Sequence, residues 1–452
     1  MQYPLTRLNA SGGLRVRRLR PAWVLAIVIP CLVGCARREP DIDAVSVRRV
    51  ITTLSADEML GRAPFTPAID KAADFIRGEF ASIGLAKVGG MDDYLQRFVV
   101  YHLQVQSRRV VLNGVEIPSE RSFVWAAAPS VRWTTGDPVE VVVIGPEEDV
   151  KRRIVSIDMS DRNTLVLMST RHEALFRGLA AESSGTFRYM YFLDPPAGAT
   201  KVWVLTDEAP TPSYDVEVMA SVEQLPLTNV VGKIPGRRDD EIVLFSGHYD
   251  CMGILDPVDG DSIANGANDG ASGTTAMIEL ARYFKAKGEP ERTLIFVAFT
   301  GHEIGFQGSD YLARQLDPTE VVAVFTIGAI GKVHPRFGPN AAHISGFDWS
   351  DFGQILQHAA EGTPYSFYPS PFEGGFSFTR SDHGPFARRG VPAHSIGSLD
   401  PRDKDRHRVS DEVETLDLVN MTNLIRAIAV GATPIVSGKA TPTRIKLPLR
   451  PN

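Results

Sequence analysis

Cysteine is scarce, at three in 452 residues. Cys31 and Cys35 belong to an N-terminal targeting segment, so Cys251 is the one thiol expected in the folded domain, and an internal disulfide framework is excluded. No spacing pairs Cys251 with a base and an orienting group, so it is expected to be buried beside the site and not to act as a nucleophile. Charge of one sign is lacking too: 48 basic against 54 acidic residues leave a net charge of -6, without the footprint of a nucleic-acid partner. In the targeting segment the apolar run, 23–33, is too short to span a bilayer comfortably. With 43% hydrophobic and 23% charged residues, the composition is that of a globular chain long enough for one large domain and a smaller one.

Arg15, Arg17, Arg18 and Arg20 precede that apolar run, as in an export signal. It ends in Leu32-Val33-Gly34-Cys35, which resembles a bacterial lipobox and implies cleavage before Cys35 with lipid on the new terminus. Several acyl chains anchor firmly, at about 0.8 kcal/mol per buried methylene. The alternative is an uncleaved signal anchor. The second residue after the cysteine is Arg37 and not Asp, so the expected location is the bacterial envelope, in the outer membrane facing the periplasm. The membrane partner is reached through this anchor; oligomeric state is left open.

The chain divides into a signal (1–35), the first part of a main domain (36–110), a β-rich inserted lobe (111–225), the rest of the main domain (226–432) and a tail (433–452). Helices are expected at 43–54 and from Thr66-Pro67 to Gly84, where a cap, an N1 proline and a terminal glycine frame Ala72, Phe75, Ile76, Phe80 and Ile83 at helical spacing. The lobe reads as strands at 98–106, 139–144, 164–168, 187–192 and 202–205, with a turn at Asn113-Gly114. It bears a weak likeness to protease-associated lids. His102 and His172 read as surface residues. From residue 229 apolar strands (242–246, 293–299, 321–327, 391–396) alternate with helices (272–285, 352–360, 416–430). That rhythm predicts an α/β fold: a mixed, mostly parallel sheet with helices on both faces. The tail, rich in proline and basic residues, is expected to be poorly ordered.

In such sheets the site lies beyond the carboxyl ends of the strands. His248 follows one strand and Glu303 follows another. Asp269, Glu303 and His407 offer the two carboxylates and one imidazole that zinc takes while keeping an open position. His248 is available to a second metal bridged by Asp269, and Asp250, two residues on, is placed to orient its imidazole. His334, His343, His358 and His394 match no motif. The acidic loop of Asp256, Asp259 and Asp261 lacks calcium-loop spacing.

The stretches Gly247-His248-Tyr249-Asp250, Asn265 to Gly273 with Asp269 at its centre, Phe299-Thr300-Gly301-His302-Glu303, Ser381-Asp382-His383, and His407 with Asp411 occur in order. Together they resemble the co-catalytic zinc aminopeptidases, peptidase family M28, which include bacterial leucyl aminopeptidases, glutamate carboxypeptidase and glutaminyl cyclase. The resemblance implies the zinc exopeptidase fold. It implies one metal at Asp269, Glu303 and His407, and another at His248, Asp269 and a later Asp. Asp382 and His383 would line the cleft or support it; their alternative is a helix cap before Gly384-Pro385.

Two positions depart from the pattern. His302 stands where the family has a Glu general base, and Gly328 stands where it has the later Asp ligand. The two exchanges remove two negative charges, which matches the loss of one divalent cation. One zinc is therefore expected in preference to two, as in glutaminyl cyclase. The expected activity is hydrolysis of an N-terminal peptide bond or a related small amide, with His302 as the candidate base. His302 as a replacement metal ligand, a noncatalytic receptor or scaffold, and a cyclase-like amine transfer are the alternatives.

Overall fold

The computed structural model describes residues 40–158, 160–184, 191–207, 213–371 and 378–446. Cys31, Cys35 and the expected targeting segment lie outside them, as do residues 187–190 of an expected strand.

Short apolar runs, such as 242–245, 293–299 and 321–327, form the centre of the main sheet. Eight of its eleven strands are β1 (Leu95–Leu112), β2 (Tyr214–Ile234), β3 (Arg238–His248), β4 (Arg292–Phe299), β5 (Val321–Ile327), β6 (Ala341–Ile344), β7 (Ser366–Pro369) and β8 (Ala393–Gly397); Val115–Glu116, Ser130–Thr134 and Tyr191–Phe192 add to β1 and β2. The eight lie side by side as β7-β6-β8-β5-β3-β4-β2-β1. The central four, β4-β3-β5-β8, are parallel, while β2 joins β4 antiparallel. Every residue of β4 and β5 is buried, because both faces are covered.

Alternation decides which side chain goes where. On one face Phe245 stacks between Phe296 and Phe325, with centroids 5.4 and 4.8 Å apart. That face is covered by α1 (Ala44–Leu54), α2 (Pro67–Ile83), α3 (Ser272–Lys287), α5 (Phe352–Ala360) and α6 (Leu418–Val436). On the other face Leu244, Val297 and Val324 meet Leu312 and Ala313 of α4 (Gln307–Gln315). The Asp43 side chain caps α1, and Gly84, at φ 75°, ends α2. The length and apolarity of α6 would suit a membrane span, yet it is a core helix, with Leu424, Ile425 and Ile428 fully buried.

Two glycines bring α3 onto the strand ends. A Cβ on Gly273 would lie 2.0 Å from the Ile327 carbonyl oxygen, and one on Gly247 would lie 2.5 Å from the Gly273 carbonyl carbon. The start of α3 therefore sits directly against β3 and β5, and the loop before it, carrying Asp269, meets His248.

The lobe is built mostly of strands but also holds two helices that the strand pattern did not predict. β1 and β2 run antiparallel far beyond the main sheet, so the expected boundaries at 111 and 225 fall inside continuous strands. A separate sheet of Ser122–Trp125, Lys201–Leu205, Thr164–Met168 and Glu140–Ile144 contains two parallel pairs. Helices Val150–Asp158 and Glu173–Ser184 pack on it through Val150, Ile157 and Phe176. His102 and His172 are half-buried: one stacks on Tyr191, and the other contacts the Gly145 carbonyl at 2.8 Å.

The tail is also ordered as far as residue 446, contrary to its composition. Buried Arg292 donates to the carbonyls of Ile435 (2.8 Å) and Ala440 (2.6 Å), and Ile445 enters the core. These bonds tie the last turn of α6 and the chain just after it to β4.

Candidate metal centre

Register places the site. His248 pairs with Phe299 across parallel β3 and β4, and Ser246 pairs with Thr326 on β5. The residues that follow these strands, His302, Glu303 and Gly328, thus emerge at one edge of the sheet. Asp269 enters from the tight turn Ala267–Ala271, where Gly270 and the preceding Gly266 have positive φ. His407, itself at φ 58°, arrives on the loop after β8.

Among the described residues, Asp269, Glu303 and His407 form the cluster whose donor atoms all lie within 4.8 Å of one another. His407 Nε2 is 3.1 Å from Asp269 Oδ2 and 3.5 Å from Glu303 Oε2. Zinc bonds of 2.0–2.2 Å make the edge of a coordination tetrahedron about 3.3–3.6 Å. His407 Nε2 and Glu303 Oε1 are both buried without a hydrogen-bond partner, as unused donor atoms of a metal site would be. The residues present fit zinc.

Supporting groups hold this cluster from below. The Asp411 carboxylate accepts from the backbone N–H groups of Asn268 and Asp269, each at 2.9 Å. Arg62, wholly buried, donates to the carbonyls of Tyr249, Leu54, Asn265 and Gly266, tying the Asp269 turn to β3 and α1. Lys332 donates to Asp403 (2.9 Å) and Asp405 (2.7 Å), and Ser410 closes onto Asp405, fixing the loop that carries His407. Asp411 stands in the motif with His407, whereas the roles of Arg62 and Lys332 are not visible in the motifs, although Lys332 directly follows the glycine-bearing segment after β5.

Asp250 is placed differently from expectation. Its backbone carbonyl, at 3.1 Å, meets His248 Nδ1, while its carboxylate lies 3.9 Å away. The carboxylate instead accepts from the amides of His302 (3.3 Å) and Glu303 (3.1 Å). It positions the loop carrying the base candidate and a ligand, and is not the orienter of an imidazole. Burial raises its pKa to about 6.

His248 lies apart from the cluster, with Nε2 3.4 Å from Asp269 Oδ1. Burial alone would lower His248, but the hydrogen bond and charge of Asp269, with Asp250 and Glu303 behind it, raise it to about 10. His302 stacks on His248 with ring centroids 3.8 Å apart. Its Nδ1 is 2.8 Å from Asp382 Oδ2, and Ser309 Oγ donates to the other Asp382 oxygen at 2.7 Å. His302 is not in the donor cluster, so the geometry makes it a neighbour of the metal ligands, supporting a base more than a replacement ligand.

Asp382 and His383 separate. Asp382 joins the site through His302. His383 is fully buried, reaches Ser345 Oγ at 3.3 Å, and is depressed to about 3 by burial. His334, His343 and His394 are buried too, while His358 is exposed. Cys251 is buried against Gly266, and burial pushes its thiol up, the opposite of an activated nucleophile. Asp256, Asp259 and Asp261 decorate an exposed hairpin.

Fold and centre together define an α/β domain of the zinc-peptidase kind. The model of Peptidase family M28 matches residues 229–431, the span holding the metal cluster, and this part of the chain is a peptidase family M28 domain. A probable zinc metalloprotease of Leptosphaeria maculans is 32% identical over 208 residues, covering 41% of this chain and 44% of that protein. BOS complex subunit NCLN of Canis lupus familiaris is 23% identical over 240 residues, covering 48% and 42%. The chain spans less than half the length of these curated relatives. BSAP, a zinc aminopeptidase from Bacillus subtilis, shares the fold, with a TM-score of 0.54 at 18% identity, covering 91% of this chain and all of that one.

Proposed function

We propose that the protein is an exported hydrolase of N-terminal peptide bonds or related small amides, using one zinc held by Asp269, Glu303 and His407. The observation that carries this is the cluster itself: two carboxylates and one imidazole at tetrahedral spacing, with buried donor atoms left unpaired. Zinc, when bound, supplies Lewis-acid polarisation of a carbonyl and makes water easier to deprotonate.

The chain's own residues supply the proton transfer. With Nδ1–H donated to Asp382, His302 keeps Nε2 as an acceptor for a proton from the attacking water. Nε2 then returns that proton to the leaving amine, and Asp382 stabilises the imidazolium between the two transfers. Asp250 holds the backbone of His302 and Glu303 in place throughout. His248, with one Asp269 oxygen and no acidic side chain at Gly328, is left as a packing partner for the His302 ring.

A noncatalytic surface protein is the second reading, favoured by the loss of the acidic base and by likeness to a subunit of a complex. Zinc content and aminoacyl-arylamide turnover of the purified protein, with His302→Ala alongside, separate the two. The hydrolase loses turnover in the variant while keeping its zinc; no turnover in either form rejects the hydrolase. Export and acylation at Cys35 belong to the same proposal, and the mass of the mature N-terminal peptide tests them.

A further inference from the structure

The carboxylates around the centre are all engaged. Asp269 and Glu303 are the metal donors, Asp250 accepts two backbone amides, Asp411 accepts two more, and Asp382 holds His302 and Ser309. Asp403 and Asp405 are joined to Lys332. A positively charged group entering the cleft would have to displace one of these partners.

The cations are distributed otherwise. Arg62 is buried with carbonyl partners, and Lys332 is spent on its two aspartates. Arg406 is different. Its Nε donates to Asp269 Oδ2 at 2.9 Å, yet its side chain is 44% exposed, and its terminal nitrogens have no hydrogen-bond partner among the described residues. The bond from Nε fixes the guanidinium plane on a metal-donor carboxylate and leaves the opposite fork, Nη1 and Nη2, open. That fork matches a carboxylate with two parallel hydrogen bonds, and its orientation is set before any ligand arrives. Within the donor set two carboxylates neutralise one zinc, so the open guanidinium fork is the part of this group left to attract an anionic ligand.

We infer that Arg406 is a substrate-binding residue and that the substrate carries a carboxylate close to the scissile amide. The inference rests on the hydrolase reading above and narrows it: of the small amides that reading allows, acidic ones are preferred to those presenting only an ammonium group.

The test is equilibrium binding of three hydroxamates to the full-length, zinc-loaded protein. They share one zinc-binding group and differ in the appended charge: acetohydroxamate is neutral, succinic monohydroxamate carries a carboxylate, and glycine hydroxamate carries an ammonium. The succinic compound should bind about 10-fold or more tighter than the neutral one, the scale of a charge-assisted hydrogen-bond pair. Arg406→Gln, with its zinc content measured, should abolish that advantage, and Arg406→Lys should keep part of it. Equal binding of the three probes, tightest binding of glycine hydroxamate, or an advantage surviving in Arg406→Gln overturns the inference. Binding is read without turnover, so the two readings fail separately. An acidic preference in an inactive protein removes only the hydrolase, and turnover without the preference removes only the role of Arg406.

Discussion

Replacing Asp382 by Asn tests the proton-transfer pair directly. Asp382 is wholly buried, accepts from His302 Nδ1 at 2.8 Å and from Ser309 Oγ at 2.7 Å, and touches no metal donor. An amide can keep this geometry. Its oxygen can face His302 while its NH2 faces Ser309, whose hydroxyl can turn to the Phe306 carbonyl, 3.0 Å away. The substitution then removes a charge without removing the orientation. Two charges about 4 Å apart interact by about 4 kcal/mol at an effective dielectric of 20, and a general base contributes about 100-fold to 10,000-fold. A fall in kcat of about 100-fold to 1,000-fold is expected, with KM within about threefold of wild type and zinc content unchanged. A double-mutant cycle makes the assignment: in a His302→Ala background, Asp382→Asn should cost almost nothing more. An equal loss in both backgrounds would refute the pair, as would a loss smaller than about threefold in the single variant.

Lys332→Met removes the clamp on the His407 loop and should weaken zinc binding about 10-fold to 100-fold, measured by competition with a chelator. Unchanged affinity would show that the loop holds itself. Gly328→Asp restores a carboxylate where a Cβ meets nothing within 4 Å, so elemental analysis should find a second zinc per chain despite the backbone strain of a side chain at φ 155°. A wild-type chain that already holds two would sink the one-zinc reading. His394, depressed to about 4 by burial, contributes stability that is full above the unfolded value near 6.5 and is lost as pH falls towards 4. The loss is about 3 kcal/mol, and urea midpoints across that range should fall less steeply in His394→Gln.

The main domain was legible because each local signal agreed with the tertiary outcome. The strand at 321–327 and the helix at 352–360 lie where the alternation of apolar runs and polar breaks puts them. The lobe helices were missed although Val150, Ile154 and Ile157, and Leu175, Phe176 and Leu179, recur at helical spacing. Neighbouring strands drew the whole segment into one β reading. The tail was misread for a different reason. Its proline and basic composition speaks of a loose end, whereas the groups that hold it lie far away in sequence: Arg292, 143 residues before Ile435, donates to the Ile435 and Ala440 carbonyls, and the Asp351 carboxylate accepts from the Thr443 amide.

At the site, sequence motifs identified donor atoms well and directions poorly. Asp269, Glu303 and His407 converge because zinc-ligand chemistry constrains residue type at each position. Spacing alone set Asp250 beside His248, but a strand end has two sets of polar partners, and the amides of His302 and Glu303 took the carboxylate. The same logic explains why the two departures do not leave the centre in disorder. A histidine in the base position needs an acceptor for its second nitrogen, and Asp382 provides one. A glycine at the missing ligand needs no replacement charge if one fewer cation is bound, and Arg406 then supplies the positive group on the shared aspartate. Charge is conserved at the centre while its carriers change, so reversing one departure alone should be worse than reversing both. His302→Glu by itself puts a second carboxylate beside Asp382, which now faces an imidazole, so one of the two carboxylates is pushed to hold a proton. The double variant His302→Glu, Gly328→Asp should recover turnover above the single His302→Glu variant when zinc is in excess; a double variant no better than the single would mean that the two positions are independent.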